Sequence, residues 1–99
     1  MSKIRVLGET RGPKHEVEKV VHDHLYAKLA EIERNISELE STDAQLTARY
    51  HMKWEDFKTG FEKGKFSEDA DVDFIEWESV VELLKQLRRE RDMLKDALE

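Results

Sequence analysis

Leu25, Leu29, Ile32, Ile36, Leu39, Leu46 and Tyr50 recur in alternating steps of four and three, with Asp43 in the one seam position that is not apolar. That spacing lines them along a single stripe of an α-helix, the pattern of a coiled-coil seam. No Gly or Pro interrupts residues 14–50. The segment therefore reads as one helix, about 55 Å long at about 1.5 Å per residue. A rod of that length has no way to bury its stripe on itself, so something must lie along it. Val17, Val20 and Val21 continue the apolar positions upstream with a shift of phase.

The chain supplies its own candidate. Trp77, Val80, Leu84, Leu87, Leu94 and Leu98 repeat the same three–four spacing, with Arg91 in the remaining seam slot. Asp73 is the expected N-cap of this second rod, with Glu76 three residues on completing a capping-box pattern. Lys85, Arg88, Arg89, Arg91 and Lys95 load its C-terminal half with positive charge, as the helix dipole prefers. Between the rods, Trp54, Phe57 and Phe61 fall at i, i+3 and i+7, a short amphipathic helix ending near Gly60 or Gly64. The connection is too short for a parallel arrangement. An antiparallel one sets the basic residues 85–95 beside Glu31, Glu33 and Glu38, and sets Glu76, Glu78 and Glu82 beside Arg49. Arg91 in the seam is a specificity device if it meets Glu33 or a partner carboxylate, and a cost if it meets nothing.

Seven of the eight aromatic residues fall between Tyr50 and Trp77. Each removes roughly 150–250 Å² from water when buried, so this is where the fold is expected to be fixed. The rings pack the short helix across the end of the hairpin, with one of Trp54, Phe57 or Phe61 left as a contact anchor. The expected fold is all-α: an antiparallel helical hairpin over 13–99 with helices at about 14–50, 53–63 and 73–98, forming a coiled-coil dimer. Residues 1–12 form an N-terminal arm. In it Ile4, Val6 and Leu7 make a short β-prone run closed by Gly8, which pairs with its symmetry mate, adds to a partner's sheet, or stays disordered.

Composition narrows the function. Charged residues are 40% of the chain and hydrophobic ones 38%. That balance suits long solvated helices that complete their core by association. The formal net charge of −6 is the wrong sign for a phosphate-backbone binder, so no direct nucleic-acid partner is expected. There is no cysteine, no run of apolar residues long enough for a membrane span, and no signal-peptide pattern. The expected location is the cytoplasm.

Two constellations invite chemistry and neither completes it. Asp69, Asp71 and Asp73 have the spacing of an EF-hand start, but Phe74 stands where the loop needs Gly and Val80 where it needs the bidentate Glu. His15, Glu18 and His22 share one helical face and could hold Zn²⁺, yet lack a fourth ligand without a second subunit. No glycine-rich phosphate loop, Cys/His dyad or serine nucleophile with its base is present. No catalytic residue, metal or cofactor is therefore expected.

The segment Tyr50-His51-Met52-Lys53-Trp54-Glu55-Asp56-Phe57, then Phe61, Gly64, an acidic turn and Asp73-Phe74-Ile75-Glu76-Trp77-Glu78, resembles a group of small helical proteins of archaea and bacteria. Several of these are encoded beside toxin genes and are classed as antitoxins on that ground. The resemblance covers about residues 50–87. It departs at His51 and Lys53, where the group shows Gly and Ser, which implies a weaker cap before the short helix here. What it implies is an antitoxin-like subunit that binds a toxin protein; the stripes add self-association, and the absence of a catalytic constellation makes the expected role non-enzymatic. The contacts expected for such a role are Ile4, Val6, Leu7, Leu25, Leu29, Ile32, Ile36, Trp54, Phe57, Phe61, Trp77, Leu84 and Arg91. The alternative is a self-associating structural coiled-coil protein.

Overall fold

The computed structural model describes residues 11–99, with side chains from Glu16 onward. Three helices follow one another: α1 (Arg11–Tyr50), α2 (Trp54–Glu62) and α3 (Ala70–Leu98), with no strand among the described residues. The expected strand of Ile4, Val6 and Leu7 lies outside them. α1 and α3 pack side by side and α2 folds against α3. The radius of gyration is 21.8 Å and the molecule extends 69 × 24 × 18 Å. A compact chain of this length would have a radius of about 13 Å, so the protein is a rod.

Cross-helix contacts fix the direction. Trp77 meets Asp43, Arg88 meets Glu40 and Lys95 meets Glu33, so position rises along α3 as it falls along α1. The hairpin is antiparallel. Midway along it, Ile32 and Ile36 of α1 bury against Val80 and Leu84 of α3, flanked by Leu39, Leu87 and Leu94. Each such side chain contributes roughly 1.5–3 kcal/mol relative to exposure. The two stripes thus meet each other within one chain. Leu25 and Leu29 stay half-buried because α3 runs out beside them.

The closed end is a second core of Leu46, Trp54, Phe57, Ala70 and Trp77. Its boundaries are local chemistry. His51 has φ 57° and the Met52 N–H bonds the Thr47 carbonyl. α1 therefore ends in a Schellman turn with a histidine in the left-handed position. Lys53 is extended (φ −85°, ψ 165°) and makes no side-chain cap to α2, as its departure from Ser implied. α2 ends at Glu62. Gly64 takes φ 73°, with the Lys65 N–H bonding the Gly60 carbonyl and the Gly64 N–H that of Phe61. Of the two glycines expected to stop this helix, Gly64 does so. Gly60 lies inside it, and a Cβ there would stand 2.8 Å from the Phe66 ring.

The start of α3 corrects the sequence reading. The helix begins at Ala70 with Asp69 at the cap position and no side-chain cap bond, so Asp73 sits in the first turn. The Ala70 and Asp71 N–H groups bond the Ser67 and Glu68 carbonyls, and the turn closes three residues early. Asp73 is thereby freed to face α1.

Candidate protein-interaction surface

At the closed end the rings pack on one another. Phe57 and Trp77 are fully buried and Trp54 is buried, while Phe61 stacks on Phe74 at 4.2 Å and is half-buried. Phe61 alone of the three expected anchor positions keeps a partly exposed edge. Trp77 Nε1–H donates to Asp43 Oδ1 at 2.8 Å, which gives the non-apolar seam position its purpose. Beside it, Arg49 Nη1–H donates to Asp73 Oδ1 at 2.9 Å and the Tyr50 hydroxyl donates to Asp73 Oδ2. The bonds from Tyr50 and Arg49 hold the Asp73 carboxyl below its ordinary range. Burial, and then the bond to Asp73, push the Tyr50 phenol up to about 12. This end of the molecule is satisfied.

The two long flanks of the hairpin differ. On one, Tyr26, Glu33 and Glu40 stand seven apart on α1, and Arg88 and Lys95 stand seven apart on α3. Arg88 Nη2 reaches Glu40 Oε2 at 2.9 Å and Lys95 Nζ lies 3.8 Å from Glu33 Oε2. Each pair is about half exposed and contributes about 0–1 kcal/mol, but together they line the flank with charge. Arg91 does not meet Glu33, one of the partners the sequence reading left open for it. Lys95, one turn further along α3, takes that carboxylate, and the Arg91 guanidinium turns outward to Asp92 at 3.1 Å.

On the other flank Val21, Lys28, Asn35 and Thr42 stand seven apart on α1, and Leu83, Leu87, Glu90, Leu94 and Ala97 follow on α3 in steps of four and three. Arg49, the next residue in that register, pairs with Asp73 at the closed end, and from Val21 to Thr42 no ion pair among the described residues crosses to α3. Two shallow apolar grooves open instead. One is lined by Lys28, Ile32, Glu90, Met93, Leu94 and Ala97, the other by Asn35, Glu38, Leu39, Thr42, Leu83 and Leu87. Met93 is 69% exposed and Leu83 46%.

The flank continues past the hairpin. Leu98 and Glu99 end level with Tyr26 and Leu29. The start of α1, from Arg11, therefore projects beyond α3 by about 22 Å at the helical rise per residue. On this overhang the seam positions turn polar, and Val17, Val20 and Val21 (60%, 66% and 51% exposed) rotate toward the open flank. The sequence reading makes them a continuation of the stripe; here they leave it. Leu83 and Met93 lie off the seam, and the sequence reading passed over them.

The incomplete constellation of His15, Glu18 and His22 includes His15, whose side chain lies outside the described ones. No group of three His, Asp or Glu side chains among the described residues is arranged to hold an ion. Asp69, Asp71 and Asp73 do not converge, because Asp73 is engaged by Arg49 and Tyr50. No helix among the described residues is long and apolar enough to cross a membrane.

Comparison with known protein families, curated proteins and solved structures finds no match to this chain.

Proposed function

We propose that this protein is a non-enzymatic interaction module, an antitoxin-like cytoplasmic subunit that associates with itself and binds a partner protein. The observation that carries the reading is the asymmetry of the hairpin. One flank is lined with ion pairs, while the other exposes Leu83 and Met93 and runs on into Val17, Val20 and Val21. Exposed apolar side chains grouped on one flank of a small, highly charged protein mark a place where another chain sits. The resemblance of residues 50–87 to proteins encoded beside toxins supports the antitoxin role. The net charge of −6 suits an inhibitor that covers a basic protein surface. Strand addition by Ile4, Val6 and Leu7 would be a second mode of contact.

The alternative, a self-associating structural coiled coil without a dedicated target, draws on the overhang of α1, which alone could join copies. Co-expression separates the two. The product of the adjacent gene is expected to co-purify with this chain and to lose its toxicity. No complex and no relief of growth arrest removes the antitoxin reading.

A further inference from the structure

The apolar features of the open flank are spaced so that the flank is complementary to itself. The three valines of the overhang centre near Lys19 of α1, and the groove containing Leu83 and Leu87 centres near Leu39. The groove containing Met93 lies between them, close to Leu29. A two-fold axis through that middle groove, at right angles to α1, carries Lys19 of one copy to the level of Leu39 of the other. We infer that the protein forms an isologous antiparallel dimer in which the Val17–Val20–Val21 patch of each copy seats in the Leu83–Leu87 groove of the second copy. The inference deepens the reading of the chain as a self-associating interaction module and rests on it.

Two physical points favour a second copy as the occupant. The overhang has the shape the groove lacks: a single helix bearing small β-branched side chains, with no neighbour on that flank among the described residues. The extent is adequate. From Val17 to Thr42 the flank runs about 38 Å, one helix wide over the overhang and two helices wide beyond it, or roughly 600 Å² per copy. Both copies together reach about 1,200 Å², the lower bound of specific interfaces.

Disulfide trapping tests the arrangement cleanly, because the chain has no cysteine of its own. Within one chain Leu83 lies level with α1 near Thr42, about 33 Å along the rod from Val20. A disulfide needs its Cα atoms within about 7 Å, so a Val20–Leu83 crosslink reports contact between copies. The double variant Val20→Cys/Leu83→Cys is expected to oxidise to a closed covalent dimer at least about tenfold faster than either single variant, from effective concentration alone. The unmodified protein should scatter light as a dimer, and Val20→Glu should scatter as a monomer with unchanged helical circular dichroism. A monomeric unmodified protein overturns the inference. So does Val20→Cys crosslinking alone as fast as the double variant, which would set the valines against each other. A ladder of crosslinked oligomers also overturns it, since that is the product of a head-to-tail contact. A monomer that still captures its partner removes this dimer and leaves the proposed function. A trapped dimer that captures none does the reverse.

Discussion

Replacing Trp77 by alanine is the most severe single insult this fold offers. The indole is fully buried, with its ring centre 5.0 Å from Phe57, 5.7 Å from Trp54 and 6.1 Å from Tyr50. Each of those rings is held on its other sides, by Phe66, Phe74 or the Asp73 bond, so the cavity cannot collapse. Large-to-small changes at such sites cost about 3–5 kcal/mol. Asp43 loses its donor as well, but it is only half-buried and regains water, so little is added. A loss of about 4 kcal/mol is between about a quarter and four fifths of the stability of a domain whose total is about 5–15 kcal/mol. In urea, with a slope of about 1–2 kcal/mol per molar, the midpoint should fall by about 2 M or more. Far-ultraviolet circular dichroism is the right probe, because the substitution deletes a fluorophore. Trp77→Phe separates the ring from its N–H. A cycle with Asp43→Ala should return a coupling of about 1–2 kcal/mol, toward the lower end for a bond to a charged group because Asp43 is partly solvated. A Trp77→Ala protein whose midpoint moves by less than a few tenths molar would refute the claim that the rings hold the hairpin shut.

Other substitutions follow from the same geometry. His51→Gly relieves a left-handed residue, and Lys53→Ser supplies the missing cap of α2; each should stabilise the fold by about 0.5–1 kcal/mol in thermal melts. Gly60→Ala should destabilise by about 1 kcal/mol, because the Phe66 ring must move by more than the gain in helix propensity returns. Stability should also depend on pH at both extremes. The Tyr50 phenol is raised, so its contribution is complete below the ordinary tyrosine value of about 10. That contribution is lost as pH climbs toward about 12. Asp73 is lowered, so its contribution is present above the ordinary carboxylate range and is lost as acid carries pH down through its folded value. Chemical melts of Tyr50→Phe should lack the alkaline step; a step that persists would place its origin elsewhere.

The helical architecture was legible because it rests on periodicity. The four–three stripes of residues 25–50 and 77–98 name the side chains that meet, and the short connection dictates that the rods run antiparallel. Local features were legible where one residue decides them, as at Gly64 and in the weak cap of Lys53. What periodicity could not resolve was the choice among similar partners. Asp73 looked like a cap because Asp is a cap residue, but the turn through Ser67 and Glu68 closes first and leaves it for Tyr50 and Arg49. Glu33 had two cations within reach, one turn apart, and spacing alone does not say that Lys95 takes it and Arg91 turns away. The interaction surface was half visible. Val17, Val20 and Val21 read as an extension of the stripe, and their phase shift acquires meaning only where α3 ends and leaves them exposed. Leu83 and Met93 sit singly on α3, and only the folded hairpin shows that they share a flank with those valines.

The antiparallel meeting of α1 and α3 within a single chain is tested most directly by a pulsed electron–electron distance between spin labels at Ser41→Cys and Arg89→Cys. Both positions are exposed. Labelled chains are diluted into unlabelled ones so that only pairs within one chain are read. Neighbouring helix axes lie about 8–10 Å apart, so with the label arms a single narrow distribution at about 20 Å is expected. A distribution beyond about 40 Å, the span of the two half-rods laid end to end, would mean that the helices open out or exchange between copies.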